Sequence, residues 1–185
     1  MLWYRRINIF FFAGTLLAHT TPSTRQNKYY QLYVCDKWFV MIKPMKLQSE
    51  FNNTLLFFCK EIGATFPLEM DVHMDQNNNR TKKLCYQVGA NIRILVAGNP
   101  WANCAEIYII IFKEAVHRDL HMTNASMVFW DYWMERWTWI NNTVPCPFFQ
   151  NQAMTPHEAT FGKQGSISNI YNFGWYQWVY YRTSH

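Results

Sequence analysis

Apolar positions along this chain change their period from segment to segment, and the period predicts the elements. Phe10-Phe11-Phe12 opens an aromatic, strand-forming run within residues 3–17, with Ala13-Gly14-Thr15 suited to a turn after it. Residues 22–28 are polar and loop-like. The short runs from Tyr29 to Tyr33 and from Phe39 to Ile42 flank Cys35-Asp36-Lys37 and predict a hairpin. Over residues 49–62, Phe51, Leu55, Phe58, Cys59 and Ile62 recur at three- and four-residue intervals, which predicts an amphipathic helix capped by Ser49. Gly63 to Arg80 is poorly patterned and ends in the turn-rich Gln76-Asn77-Asn78-Asn79. Lys83 to Val88 and Ile92 to Ala97 predict two more strands. Ala105 to Val116 is strongly apolar, and its β-branched content favours strand locally. Met127 to Ile140 suits an aromatic helix or strand packed in a core.

Composition narrows the class. At 185 residues, half of them apolar and 18% aromatic, the chain can bury one sizeable core or two small lobes. Wholesale disorder is excluded, because it needs low hydrophobicity and high net charge. The net charge of +5 suits an anionic ligand, yet no Lys/Arg run exceeds two residues. Five scattered cysteines, none in a C-x-x-C pair, offer neither a zinc framework nor a disulfide scaffold. They point to buried thiols in a reducing, cytoplasmic compartment.

One stretch carries chemistry. His117-Arg118-Asp119-Leu120 is followed, five residues beyond the Asp, by Asn124. That spacing resembles the catalytic loop of protein kinases. Companions occur in the family's order: Val40-Met41-Ile42-Lys43, Lys60-Glu61-Ile62, Thr155-Pro156-His157-Glu158 and Asn169-Ile170-Tyr171-Asn172-Phe173-Gly174. The resemblance spans roughly residues 29–181, and it implies an α+β, two-lobed kinase-like fold. Residues 1–97 would form a β-rich N-lobe and residues 98–185 a truncated helical C-lobe.

By implication Asp119 accepts the proton of a protein hydroxyl, of Ser or Thr ahead of Tyr, and Arg118 tethers a phosphorylated segment. Lys43, held by Glu61, binds ATP phosphate; Gly14 stands where the glycine roof belongs, and the backbone at Val96 and Gly98 meets the adenine. Asn124 and Asp131 carry Mg2+. The implied partners are a nucleotide and a protein or peptide substrate, with neither nucleic acid nor membrane. The glycine roof is reduced to one residue, Asp131-Tyr132-Trp133 stands in for Asp-Phe-Gly, and Asn169 replaces the anchoring Asp. A nucleotide-binding pseudokinase is therefore the variant of this reading.

Two rivals come from other classes. Glu114, His117 and His121 fall on one helical face, where a metal could bind. Alternatively, Arg5-Arg6, the apolar run from Ile7 to Ala18 and the polar residues after it resemble a signal peptide. With sequons at Asn52, Asn79, Asn124 and Asn141, that pattern suggests a secreted, glycosylated binding protein.

Overall fold

A computed structural model describes residues 10–17, 22–35, 37–63, 68–72, 79–87, 89–94, 104–147 and 154–165. The alternating runs become strands β1 (Phe10–Leu17), β2 (Tyr29–Cys35) and β3 (Val40–Met45). Helix α1 (Phe51–Glu61) follows a 3-10 turn at Gln48–Glu50, so Ser49 lies inside the turn and does not cap the helix. Next come β4 (Leu68–Val72), α2 (Asn79–Gln87), β5 (Ala90–Ile94), α3 (Cys104–Met122), α4 (Trp130–Thr143) and α5 (Pro156–Phe161).

The strands form one sheet in the order β3-β2-β1-β4-β5. The predicted hairpin is present: β2 pairs antiparallel with β3, and also with β1. From β1 outward the sense changes, since β1–β4 and β4–β5 are parallel. Ala13-Gly14-Thr15 is not a turn but continues β1, pairing with Tyr33, Leu32 and Gln31. Phe10–Leu17, within the apolar run from Ile7 to Ala18, thus forms the central strand of the sheet.

Both faces of the sheet are covered, and β2 shows why it can sit between them: all but its first residue are buried. On one face Tyr30, Leu32, Val34, Val40 and Ile42 pack with Ile109, Phe112 and Val116 of α3 and Trp130, Trp133 and Met134 of α4. On the other, Phe11, Ala13, Tyr33 and Cys35 pack with Phe51, Leu55, Phe58 and Cys59 of α1 and Cys85 of α2. Tyr33 and Phe58 stack with ring centroids 4.5 Å apart. The α1 residues picked out by helical spacing are the ones buried. The molecule is α+β, but helices sandwich a single sheet, and residues from both halves of the sequence share one core. A strand-rich lobe beside a helical lobe, as a kinase requires, is not the arrangement. The expected lobe boundary at 97/98 falls outside the described residues.

Two segments depart from their local propensity. Residues 105–116 are helical because α3 runs over an apolar sheet face, where burial outweighs the small β-preference of Ile. Lys83 to Val88 was expected as a strand, yet Lys83–Gln87 lies in α2, with Cys85 buried in the second core. Polar staples close the edges. Asn142 of α4 accepts from the Val40 amide at 2.9 Å and donates to its carbonyl at 2.7 Å, satisfying groups that edge strand β3 would otherwise expose.

Candidate functional site

The parallel strands β1, β4 and β5 direct their carboxyl ends the same way, and a crevice at such ends is where open α/β sheets bind ligands. Helix α3 comes down on β1 at Gly14. A Cβ built there would lie 2.9 Å from Cδ1 of Ile109 and 3.4 Å from the Ala105 Cβ, so the missing side chain lets the helix seat against the strand. Glu106 is the next residue after Ala105, in the first turn of α3. On the other side of β1, the register sets Asp71 of β4 opposite Phe12, two positions before Gly14, and beside Arg93 of β5. Packing and register thus bring two carboxylate residues to one sector of the sheet, around Gly14. Strand β1 itself, Phe-Phe-Phe-Ala-Gly-Thr-Leu-Leu, supplies no ionisable group there.

Neither acid was singled out from sequence. Leu68-Glu69-Met70-Asp71-Val72 alternates strictly, the signature of a strand with one polar face, within a stretch read as unpatterned. Glu106 is an acid in the first turn of a helix, where the helix dipole favours it.

The residues of the kinase-like pattern lie elsewhere. His117, Arg118 and Asp119 belong to the last turns of α3, so they form no loop. Asp119 accepts from Trp137 Nε1 of α4 at 2.9 Å, and Arg118 Nε sits 3.4 Å from its other oxygen. Asn124 is exposed and left-handed, with φ 53°. The Ala125 amide reaches the Leu120 carbonyl and the Asn124 amide that of His121, so Asn124 closes the helix C-terminus. Asp131 is fully buried at the start of α4. It accepts from Arg25 Nε at 2.7 Å and Asn27 Nδ2 at 2.9 Å, while Arg25 also reaches Glu135 at 3.0 Å. Burial alone would lower the Arg25 pKa, but the charge of Glu135 and the bond to Asp131 outweigh it and hold the guanidinium above its ordinary value. This cluster pins the segment before β2 onto α4.

Lys43 lies on β3 with Nζ 3.7 Å from the centroid of Phe57, and Glu61 is exposed at the end of α1. Gly14 is a packing position, not a phosphate roof. Val96 and Gly98 lie outside the described residues. The Pro-His-Glu motif begins α5, where Thr155 accepts from the Glu158 amide as an N-cap. Among the described residues no three His, Cys, Asp or Glu gather to hold a metal, so Glu114, His117 and His121 share a helical face without forming such a site.

No family model and no curated protein matches the sequence. Solved structures do. Over 86% of its length the chain resembles a chain of a simian T-cell lymphotropic virus intasome in complex with PP2A regulatory subunit B56 gamma (TM-score 0.65, 13% identity). It resembles the HTLV-2 integrase catalytic core domain in complex with magnesium, in its dimeric form at TM-score 0.59 with 13% identity and in its trimeric form at 0.58 with 12%. It shares the fold of retroviral integrase catalytic cores. The match spans 86% of this chain and 99% of the dimeric-form core, against 84% and 98% for the trimeric form, but only 56% of the intasome chain.

This overturns the kinase-like reading. Among the described residues the one-sheet sandwich has no interlobe cleft, and with the kinase fold go phosphoryl transfer from ATP to a protein hydroxyl, ATP as cofactor and the pseudokinase variant. The roles assigned to Asp119, Arg118, Lys43 and Glu61 lapse as well. The secreted binding-protein alternative gains no support, and the exclusion of nucleic acid as a partner does not stand beside a fold shared with an intasome.

Proposed function

We propose that this chain is an integrase-like catalytic core that performs divalent-metal-dependent phosphoryl transfer on DNA. The observation that carries the proposal is the likeness, over 86% and 84% of the chain, to two forms of an integrase catalytic core, both named as magnesium complexes. Chemistry agrees. Mg2+ takes hard oxygen ligands and is commonly held by one or two carboxylates together with substrate phosphates. Glu106 and Asp71 are such carboxylates, and Asp75, three positions past β4 in sequence, is a third to test. In chemical type these carboxylates suit the ion, and a DNA phosphate would complete its shell.

In this reading the oxygen of a water or a DNA 3′-hydroxyl forms a bond to phosphorus in line with the departing 3′-oxygen, whose bond breaks. The nucleophile's proton passes to solvent, and the departing 3′-oxygen takes a proton up from it. Bound Mg2+ would supply activation of the nucleophile and charge neutralisation at the leaving oxygen. Glu106 holds its place because Ala105 and Ile109 lock α3 onto Gly14, and Asp71 because β4 is paired on both edges. The net charge of +5 favours approach of a polyanion.

The test is nicking and joining of labelled DNA duplexes with Mg2+ or Mn2+, in wild type, Glu106→Gln, Asp71→Asn and Asp75→Asn. Metal-dependent products that vanish in Glu106→Gln and in at least one of the two Asp variants support the proposal; products unchanged in all three refute it. A second reading, a core that holds DNA without reacting it, is favoured by the absence of any carboxylate on β1. DNA binding without products in any variant would select that reading.

A further inference from the structure

We propose that the cleft between the C-terminal half of α3 and the start of α4 is a binding site for a small organic anion with an apolar body, such as an aromatic carboxylate. It is separate from the carboxylate sector: Glu106 and Lys113, the lining residue nearest to it along α3, are seven positions apart, about 10 Å at 1.5 Å per residue. The cavity measures about 410 Å³, within the ordinary range for small-molecule sites. Lys113, His117 and Arg118 line it from α3, and Met127, Trp130 and Met134 face them at three- and four-residue spacing. Val116 adds apolar surface, and among the described residues Glu114 is the only acidic one in the lining.

Two independent features specify the ligand. The first is charge: Lys113 and Arg118, with His117 when protonated, outnumber the single carboxylate of Glu114. Arg118 is partly engaged with Asp119, so Lys113 is the principal counter-ion. The second is apolar surface: Val116, Met127, Trp130 and Met134 line the cleft, Trp130 offers a flat ring, and the methionines adapt to a flat or aliphatic body. A carboxylate on an apolar ring supplies every complement at once.

The probe is 2-naphthoate, titrated against uniformly 15N-labelled protein, with the neutral 2-naphthylmethanol as control. Trp130→Phe, which keeps the ring and loses only the N–H, assigns the Trp130 indole resonance. The expected result is saturable binding that moves this resonance, weakened about tenfold by Lys113→Ala and by about as much for the alcohol, as loss of a charge-assisted contact predicts. Equal affinity for acid and alcohol would overturn the proposal. So would saturation that leaves the Trp130 resonance unmoved, or no saturable binding at all. None of these outcomes bears on DNA chemistry, because the cleft shares no residue with Glu106 or Asp71.

Discussion

The two ends of α3 carry opposite lessons. Its C-terminal turns hold His117-Arg118-Asp119, a sequence with the look of catalysis, yet there Asp119 is bonded to Trp137 and Asn124 ends the helix. Its first turn holds Glu106 in an unremarkable Ala-Glu-Ile context, yet that turn lands on the central strand beside β4. A motif has chemical meaning only in the backbone geometry that aims its side chains. An acid with no motif acquires meaning when the fold sets it where strands end.

The sharpest way to break this comparison is to remove one acid from each end. Glu106→Gln should reduce metal-dependent DNA processing by on the order of 10³-fold, the scale of several kcal/mol of metal-mediated charge stabilisation. Asp119→Asn should leave it within about threefold, since a carboxamide can still accept from Trp137. The reverse pattern in a product-formation assay would sink the assignment.

Asp131 sharpens the contrast from the side of stability. Asp131→Ala removes a fully buried acceptor from Arg25 and Asn27, and should lower unfolding stability by about 3 kcal/mol, read as a shifted urea midpoint. A metal ligand would instead be spared or stabilised by removal of its charge, so a more stable variant would contradict the structural role.

Gly14→Val tests the joint that seats the first turn of α3. The added side chain meets Ile109, and the cost should be about 1–3 kcal/mol, partly recovered in the double variant with Ile109→Ala. Additive losses in thermal melts would show that the contact does not matter.

An effect confined to alkaline pH, and absent at neutrality, concerns the opposite face of the sheet. Burial raises the Cys59 and Cys85 thiols from 9.0 to about 11. The folded state therefore keeps its protons where the unfolded chain loses them, and this contribution, complete below pH 9, should fade between about pH 9 and 11. Cys59→Ser/Cys85→Ser should flatten that limb of a stability–pH curve; an unchanged slope would reject the assignment.

Much of the scaffold is legible without coordinates. The β2–β3 hairpin follows from alternation, and α1 from 3-4 spacing whose residues are those buried. The aromatic run at Phe10–Phe12 begins a strand, but its continuation through Ala13-Gly14-Thr15 was hidden because glycine reads as a turn wherever no neighbour is known. Likewise α2 reads as a strand from Lys83 onward until Cys85 is seen packed beneath it.

What the sequence determined by itself is local: which segments alternate, which follow helical spacing, where Thr155-Pro156 starts a helix, and that the whole is apolar enough to bury a core. Those properties depend on neighbours a few residues away. Tertiary structure alone decided that β1 lies at the centre, that β4 and β5 join it in parallel, and that α3 is a helix despite its β-branched run. These are long-range pairings, and their energy comes from burial against residues far along the chain. Hence Asp71 and Glu106, 35 positions apart, become neighbours of one strand, while the motif that reads as an active site closes a helix.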